Sequence, residues 1–234
     1  MRSALGARFA VDIAERCLRN SLNLDPRKIV KNVTAKILHE WRMACLSHFR
    51  GSPLSPRERK ISGGNGFDLA WYGTTLVCAA ITPTYAMIIQ IGDGDAMAFL
   101  HDGSVVHPIP GSNLPSGITH SLCEPSALQE FRCHFLAWPA SARIKAIILC
   151  TDGVANSYSP KSLEAFGSGI IYAMHADREE ALSQLETWLP ELYRRGNADD
   201  MGIAGLIVER KFLSTLPLSL RRQLARARMA FRKL

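Results

Sequence analysis

From Phe67 onward the hydrophobic pattern of the chain changes period. Before that point apolar residues recur at helical spacing. Leu5, Phe9, Ile13 and Cys17 form one stripe, and Ile29, Val33, Ile37, Trp41 and Cys45 form a second. Four-residue steps place such residues on one face of a helix. After Phe67 the apolar residues fall in short runs rich in β-branched and aromatic side chains, at 71–81, 85–91, 96–101, 105–106, 131–138, 144–150 and 202–208. Runs of this length, closed by Gly, Pro, Asp and Asn, predict strands. A clear helix, 179–195, begins with acidic residues and ends with Arg194-Arg195, as its dipole favours. Helices, then a meander of strands, then helix and strand define an α+β domain built in layers.

The punctuation refines this outline. Asp25 can cap the second helix, with Pro26 at its first position. That helix ends before Gly51-Ser52-Pro53, and 53–66 reads as a polar surface loop. The strands from 71 to 106 read as consecutive antiparallel neighbours, the last two joined by a tight Asp102-Gly103 hairpin. Residues 108–125 read as a long loop, 159–164 opens a helical or mixed segment, and 202–208 reads as a last buried strand.

Composition narrows the function classes. The six cysteines have no CxxC spacing and several sit in apolar runs, which predicts reduced, buried thiols and no zinc site. No apolar run approaches the roughly 18 residues of a membrane span. No signal peptide is expected at Met1–Arg8, so the expected location is the cytoplasm. The formal net charge is +7, yet 211–234 holds seven basic residues and no acidic one. The remaining 21 Lys and Arg balance the 21 Asp and Glu, so the body is neutral and a nucleic-acid partner is not expected. In the tail Leu220, Leu224, Ala227 and Phe231 share a helical face ringed by arginines. That pattern suits an anionic membrane surface or an acidic partner, or a helix packed on the domain.

Three acidic turns stand at predicted strand ends: Gly92-Asp93-Gly94-Asp95, Thr151-Asp152-Gly153 and Asn197-Ala198-Asp199-Asp200. Asp-Gly is a common turn dipeptide, and each alone is explained as a turn or cap. Together, carboxylates at strand ends can converge at one sheet edge, where hard oxygen donors suit magnesium or manganese. The seven histidines are scattered without ligand spacing, and no nucleophile triad competes.

In order along the chain, Gly73-Thr74-Thr75-Leu76-Val77, Ile91-Gly92-Asp93-Gly94-Asp95-Ala96 with Phe99 and Asp102-Gly103, Leu149-Cys150-Thr151-Asp152-Gly153-Val154 and Asn197-Ala198-Asp199-Asp200-Met201 resemble the motifs of PPM-type (type 2C-like) protein phosphatases. The likeness runs over about 4–209. It implies a four-layer αββα sandwich of two mainly antiparallel sheets flanked by helices. It also implies two manganese or magnesium ions, and hydrolysis of phosphoserine or phosphothreonine in a phosphoprotein by a metal-activated water. On this resemblance Asp152 and Asp199 match direct ligands of one core metal, and Asp93 matches a ligand of a weaker third ion. Asn156 stands where a further Asp often serves that ion, and a neutral amide is a poorer ligand for it.

The helix Gly6-Ala7-Arg8-Phe9-Ala10-Val11 resembles the family's first helix, which follows an Asp-Gly-x-Gly motif. That motif, the bridging carboxylate and the phosphate-gripping basic residue have no counterpart after Met1-Arg2-Ser3-Ala4. The resemblance thus predicts a domain over 1–210 lacking the N-terminal strands, with an unpaired sheet edge. Weak metal binding and little or no activity of this chain follow as expectations. The alternative is a catalytically inactive pseudophosphatase that binds partners without hydrolysis.

Overall fold

The computed structural model describes residues 2–21, 26–62, 66–110, 118–137, 143–195 and 199–208. The expectations for Asp25, Asn197, Ala198, Trp138, the middle of the 108–125 loop and the basic tail lie outside these residues. The fold is α+β, with two antiparallel sheets flanked by helices. The chain forms two compact units. The first comprises Met1–Cys78, Ile89–Asp93 and Gly111–Cys133, and the second Ala79–Ile88, Gly94–Pro110 and His134–Leu234.

In the first unit the two apolar stripes become α1 (Ser3–Ser21) and α2 (Pro26–Gly51). They meet along Ala10, Ile13, Ala14 and Cys17 on one side and Val33, Ile37, Trp41 and Cys45 on the other, all buried. The Trp41 indole N–H donates to the Gly6 carbonyl at 2.9 Å, which satisfies the one polar atom of a fully enclosed ring.

Two expectations fail here. Residues 56–62 are helical, α3 (Pro56–Ser62), within the stretch read as a loop. Ser55 Oγ accepts from the Glu58 amide at 3.2 Å, and Glu58 Oε2 accepts from the Ser55 amide at 2.8 Å. This reciprocal pair is a capping box, and Pro56 follows it at the first helical position. The residues 71 and 72, read as the start of a strand, instead lie in a 3-10 turn, Leu69–Tyr72, capped by Asp68 Oδ1 on the Ala70 amide at 2.9 Å.

The strands are β1 (Leu76–Ile81), β2 (Tyr85–Ile91), β3 (Asp95–Leu100), β4 (Val105–Val106), β5 (Arg132–Ala137), β6 (Ile144–Cys150) and β7 (Ile203–Ile207). They form one sheet of order β1-β2-β5 and another of order β4-β3-β6-β7. The strands from 71 to 106 are therefore not one meander. The chain leaves the first sheet after β2 and enters the second at β3. Between them Gly92 has φ +102°, a left-handed conformation that glycine adopts without steric cost. The β3–β4 hairpin at Asp102-Gly103 forms as expected.

In the second unit β6 pairs with β3 from Asp95↔Cys150 onward and with β7 from Cys150↔Ile203 to Ala146↔Ile207. Helices α4 (Asp152–Ala155), α5 (Pro160–Ala176) and α6 (Arg178–Arg195) follow β6. Met97, Phe99, Ala146, Ile148 and Cys150 of the sheet pack with Val154, Leu163, Ile170 and Ile171 in one core. Contrary to expectation β7 is not buried. It is the last strand of its sheet, and Ala204, Gly205 and Leu206 are exposed. Likewise Cys133 is exposed, whereas Cys17, Cys45 and Cys150 are buried as expected, and all six thiols are free. Among the described residues no helix is long and apolar enough to cross a membrane.

Candidate metal centre

Strand β6 ends in Cys150, and the next three residues carry the turn Thr151-Asp152-Gly153 into α4. The turn is stitched to the segment ahead of β7. The Thr151 amide donates to the Gly202 carbonyl at 3.0 Å. The Thr151 hydroxyl donates to the Asp200 carbonyl at 2.8 Å and accepts from the Gly202 amide at 3.0 Å. Thr151 stands at the N-cap of α4, but its side chain makes no capping bond, because its hydroxyl is spent on this cross-link.

Gly153 completes the fit. A Cβ there would lie 2.6 Å from the Asp200 carbonyl oxygen and 3.2 Å from Asp199 Cβ. Only a glycine lets the two backbones approach so closely. The residue after Asp152 therefore rests directly on Asp199, and two of the three sequence-selected carboxylates are brought onto neighbouring backbone. Asp152 is half-buried and Asp199 exposed. One Asp199 oxygen, Oδ1, accepts from the Asp200 amide at 2.8 Å, which orients the carboxylate. Asn156 ends α4, its amide donating to the Asp152 carbonyl at 2.7 Å.

The third selected carboxylate, Asp93, belongs to the first unit, exposed on the Gly92–Gly94 turn. There Gly92 packs on Thr75, and its carbonyl accepts from Gln90 Nε2 at 3.2 Å and from the Arg132 guanidinium at 2.5 Å. Sequence reading did not single out Asp95, whose carboxylate accepts from the Ala96 amide at 2.7 Å and lies 3.4 Å from His107 Nδ1. His107 Nε2 in turn lies 3.3 Å from Glu164, so this histidine is held between two carboxylates. No motif signals that arrangement, because its members are 12 and 57 residues apart.

Burial, with the Asp95 and Asp152 charges adding to it, pushes the Cys150 thiol up to about 12. It stays protonated near neutral pH, so it is neither a nucleophile nor a thiolate ligand. Asp152 and Asp199 lie on backbones that meet at Gly153, and both are hard oxygen donors. Such a pair fits one magnesium or manganese ion that keeps most of its waters. Among the described residues no group of three or more His, Cys, Asp or Glu side chains is arranged to hold a metal, so a closed cage is not part of what fits.

The profile of Protein phosphatase 2C matches the chain over residues 1–190. No curated protein matches it by sequence. Among solved structures it is similar to a bacterial serine phosphatase, at 12% identity and TM-score 0.50, covering 80% of this chain and 73% of that one. It is similar to serine/threonine phosphatase Stp1 from Staphylococcus aureus, at 12% identity and TM-score 0.50, covering 80% and 71%. A C. elegans sex determining protein aligns at 12% identity and TM-score 0.52 over 90% of this chain, which spans 53% of that protein. At such identities the structural likeness concerns the fold.

Proposed function

Because the chain belongs to the protein phosphatase 2C family, we propose that it is a metal-dependent phosphatase that hydrolyses phosphoserine and phosphothreonine in proteins. The interlock of Thr151-Asp152-Gly153 with Asp199-Asp200 is the observation that supports this most. Asp152 and Asp199 would hold one manganese or magnesium ion, and Asp93 is the candidate for a further, weaker one. A divalent cation bound there supplies Lewis acidity toward water and phosphoryl oxygens. The chain's own residues supply the frame. Thr151 ties β6 to the segment before β7, and Gly153 sets the approach of the two carboxylates. Cys150, buried and protonated, supplies no nucleophile.

In this reading the catalytic domain spans 1–210, works in the cytoplasm and takes a phosphoprotein as substrate. The basic segment 211–234 is a separate tail, for packing its apolar face on the domain or for an anionic membrane surface or acidic partner. Manganese-dependent release of phosphate from a phosphoserine peptide tests the central claim. Turnover by the chain is expected to be weak, and to fall roughly 10- to 100-fold in Asp152→Asn, the loss typical when the surroundings of a bound ion are disturbed. Metal-independent turnover, or turnover untouched by Asp152→Asn, overturns it.

The second reading is a pseudophosphatase that binds a phosphorylated or regulatory partner without hydrolysis. The retained Asp93, Asp152 and Asp199 count against it, since an abandoned site has no chemical need to keep such residues. Complete absence of manganese-dependent turnover, with phosphopeptide binding retained, distinguishes it from the first.

A further inference from the structure

Within the first unit, His120 presents both ring nitrogens to carboxylates. Nδ1 lies 2.9 Å from Glu124 Oε2, and Nε2 lies 3.1 Å from Glu130 Oε2. A neutral imidazole has one N–H and one lone pair. It can donate to one carboxylate, and its second nitrogen then sets a lone pair against an anion. Only the imidazolium satisfies both contacts. We propose that His120 is a proton-dependent positioning residue: protonated, it ties Glu124 and Glu130 together and so holds the segment 119–130 in the shape that meets Thr74 and the Gly92 turn, and its deprotonation loosens that shape.

The clamped segment carries the contacts that matter to the turn. The Leu122 amide and the Ser121 hydroxyl both donate to the Thr74 carbonyl at 3.0 Å. The His120 carbonyl oxygen lies 3.2 Å from where a Cβ on Gly92 would stand. Glu124 is the hub. Its Oε1 accepts from the Ser121 amide at 3.0 Å, and its carbonyl accepts from the Arg42 guanidinium of α2 at 2.8 Å. The charged and titratable groups around the clamp are thus Glu124 and Glu130, Arg42 from α2, Arg132 from β5, and the Cys123 thiol, which donates to Ser121 Oγ at 3.3 Å. Imidazole is the side chain that changes charge between about pH 5 and 8. The clamp therefore closes on the acid side of that interval and opens as pH rises through it.

Amide hydrogen exchange on the full chain, corrected for intrinsic rates, measures this without metal or substrate. The reporter is the Leu122 amide, and the Ile148 amide in the core of β6 controls for global stability. Between about pH 5.5 and 8 the Leu122 protection should fall roughly two- to fivefold relative to Ile148, as expected for losing a partly exposed ionic contact. In His120→Gln that pH dependence should vanish. Glu130→Gln, which keeps the histidine and the shape of the segment, should flatten it even if the first variant folds poorly. Protection at Leu122 that is flat in the wild type, or that falls equally in Glu130→Gln, overturns the proposal. Neither outcome depends on whether the chain is a phosphatase.

Discussion

Arg2 is a charged side chain almost wholly enclosed, at 8% exposure. An unpaired cation there would be costly, and the fold surrounds it with acceptors. Its Nε donates to Glu58 Oε1 at 2.8 Å, and its terminal nitrogens reach the Ser52 carbonyl at 2.7 Å, the Tyr72 hydroxyl at 2.9 Å and the Pro53 carbonyl at 3.1 Å. The guanidinium, and then the Ser55 amide and hydroxyl, hold the Glu58 carboxyl at about 2. A depressed carboxyl stabilises the fold above its ordinary range, and that contribution is lost as pH falls toward the folded value. Glu58→Gln should therefore melt below the wild type near neutral pH, and the gap should close as pH drops from about 5 to about 2. Thermal melts across that series check it. A gap that widens in acid would assign the stability to another group. No local pattern marks Arg2, because its partners lie 50 to 70 residues away.

At the scale of elements, local signals were legible where they were read with the right template. The helical stripes of α1 and α2, the β2 strand at Tyr85–Ile91 and the Asp102-Gly103 hairpin all stand where period and turn chemistry put them. Helix α3 shows a missed local signal, since Ser55-Pro56-Arg57-Glu58 is itself a capping box. Ser55→Ala removes the hydroxyl acceptor and should cost about 1 kcal/mol, the usual worth of an N-cap. Faster exchange at the Glu58 amide is the direct readout, with a small fall in Tm beside it. An unchanged exchange rate there would mean that Arg2, and not the cap, holds the helix. The assignment of strands to sheets was not legible. β2 and β3 are separated by the three residues Gly92–Gly94, yet β2 pairs with β1 and β5, and β3 pairs with β4 and β6. A strand's own residues state that it is a strand, but its neighbour is chosen by surface from distant parts of the chain.

For the molecule as a whole, a bound ion acts on stability. A ligand that binds only the folded state raises stability by about 2.7 kcal/mol at a hundredfold excess over its Kd. Manganese in large excess over its Kd should therefore raise the Tm of this chain. Asp152→Asn and Asp199→Asn should each abolish most of the rise, because the two side chains are held on one interlocked pair of turns. A rise preserved in Asp199→Asn would detach that residue from the site, a sharp test since the family profile ends at residue 190. The sequence alone determined the elements, the acidic turns and the family resemblance. These depend on period, turn chemistry and short motifs, all of which act within a few residues. Tertiary structure alone decided that β2 and β3 join different sheets, that β7 lies exposed at an edge, and that Thr151 spends its hydroxyl on a segment 49 residues away. Those outcomes rest on close packing and hydrogen-bond satisfaction between distant segments, and no local pattern encodes such partners.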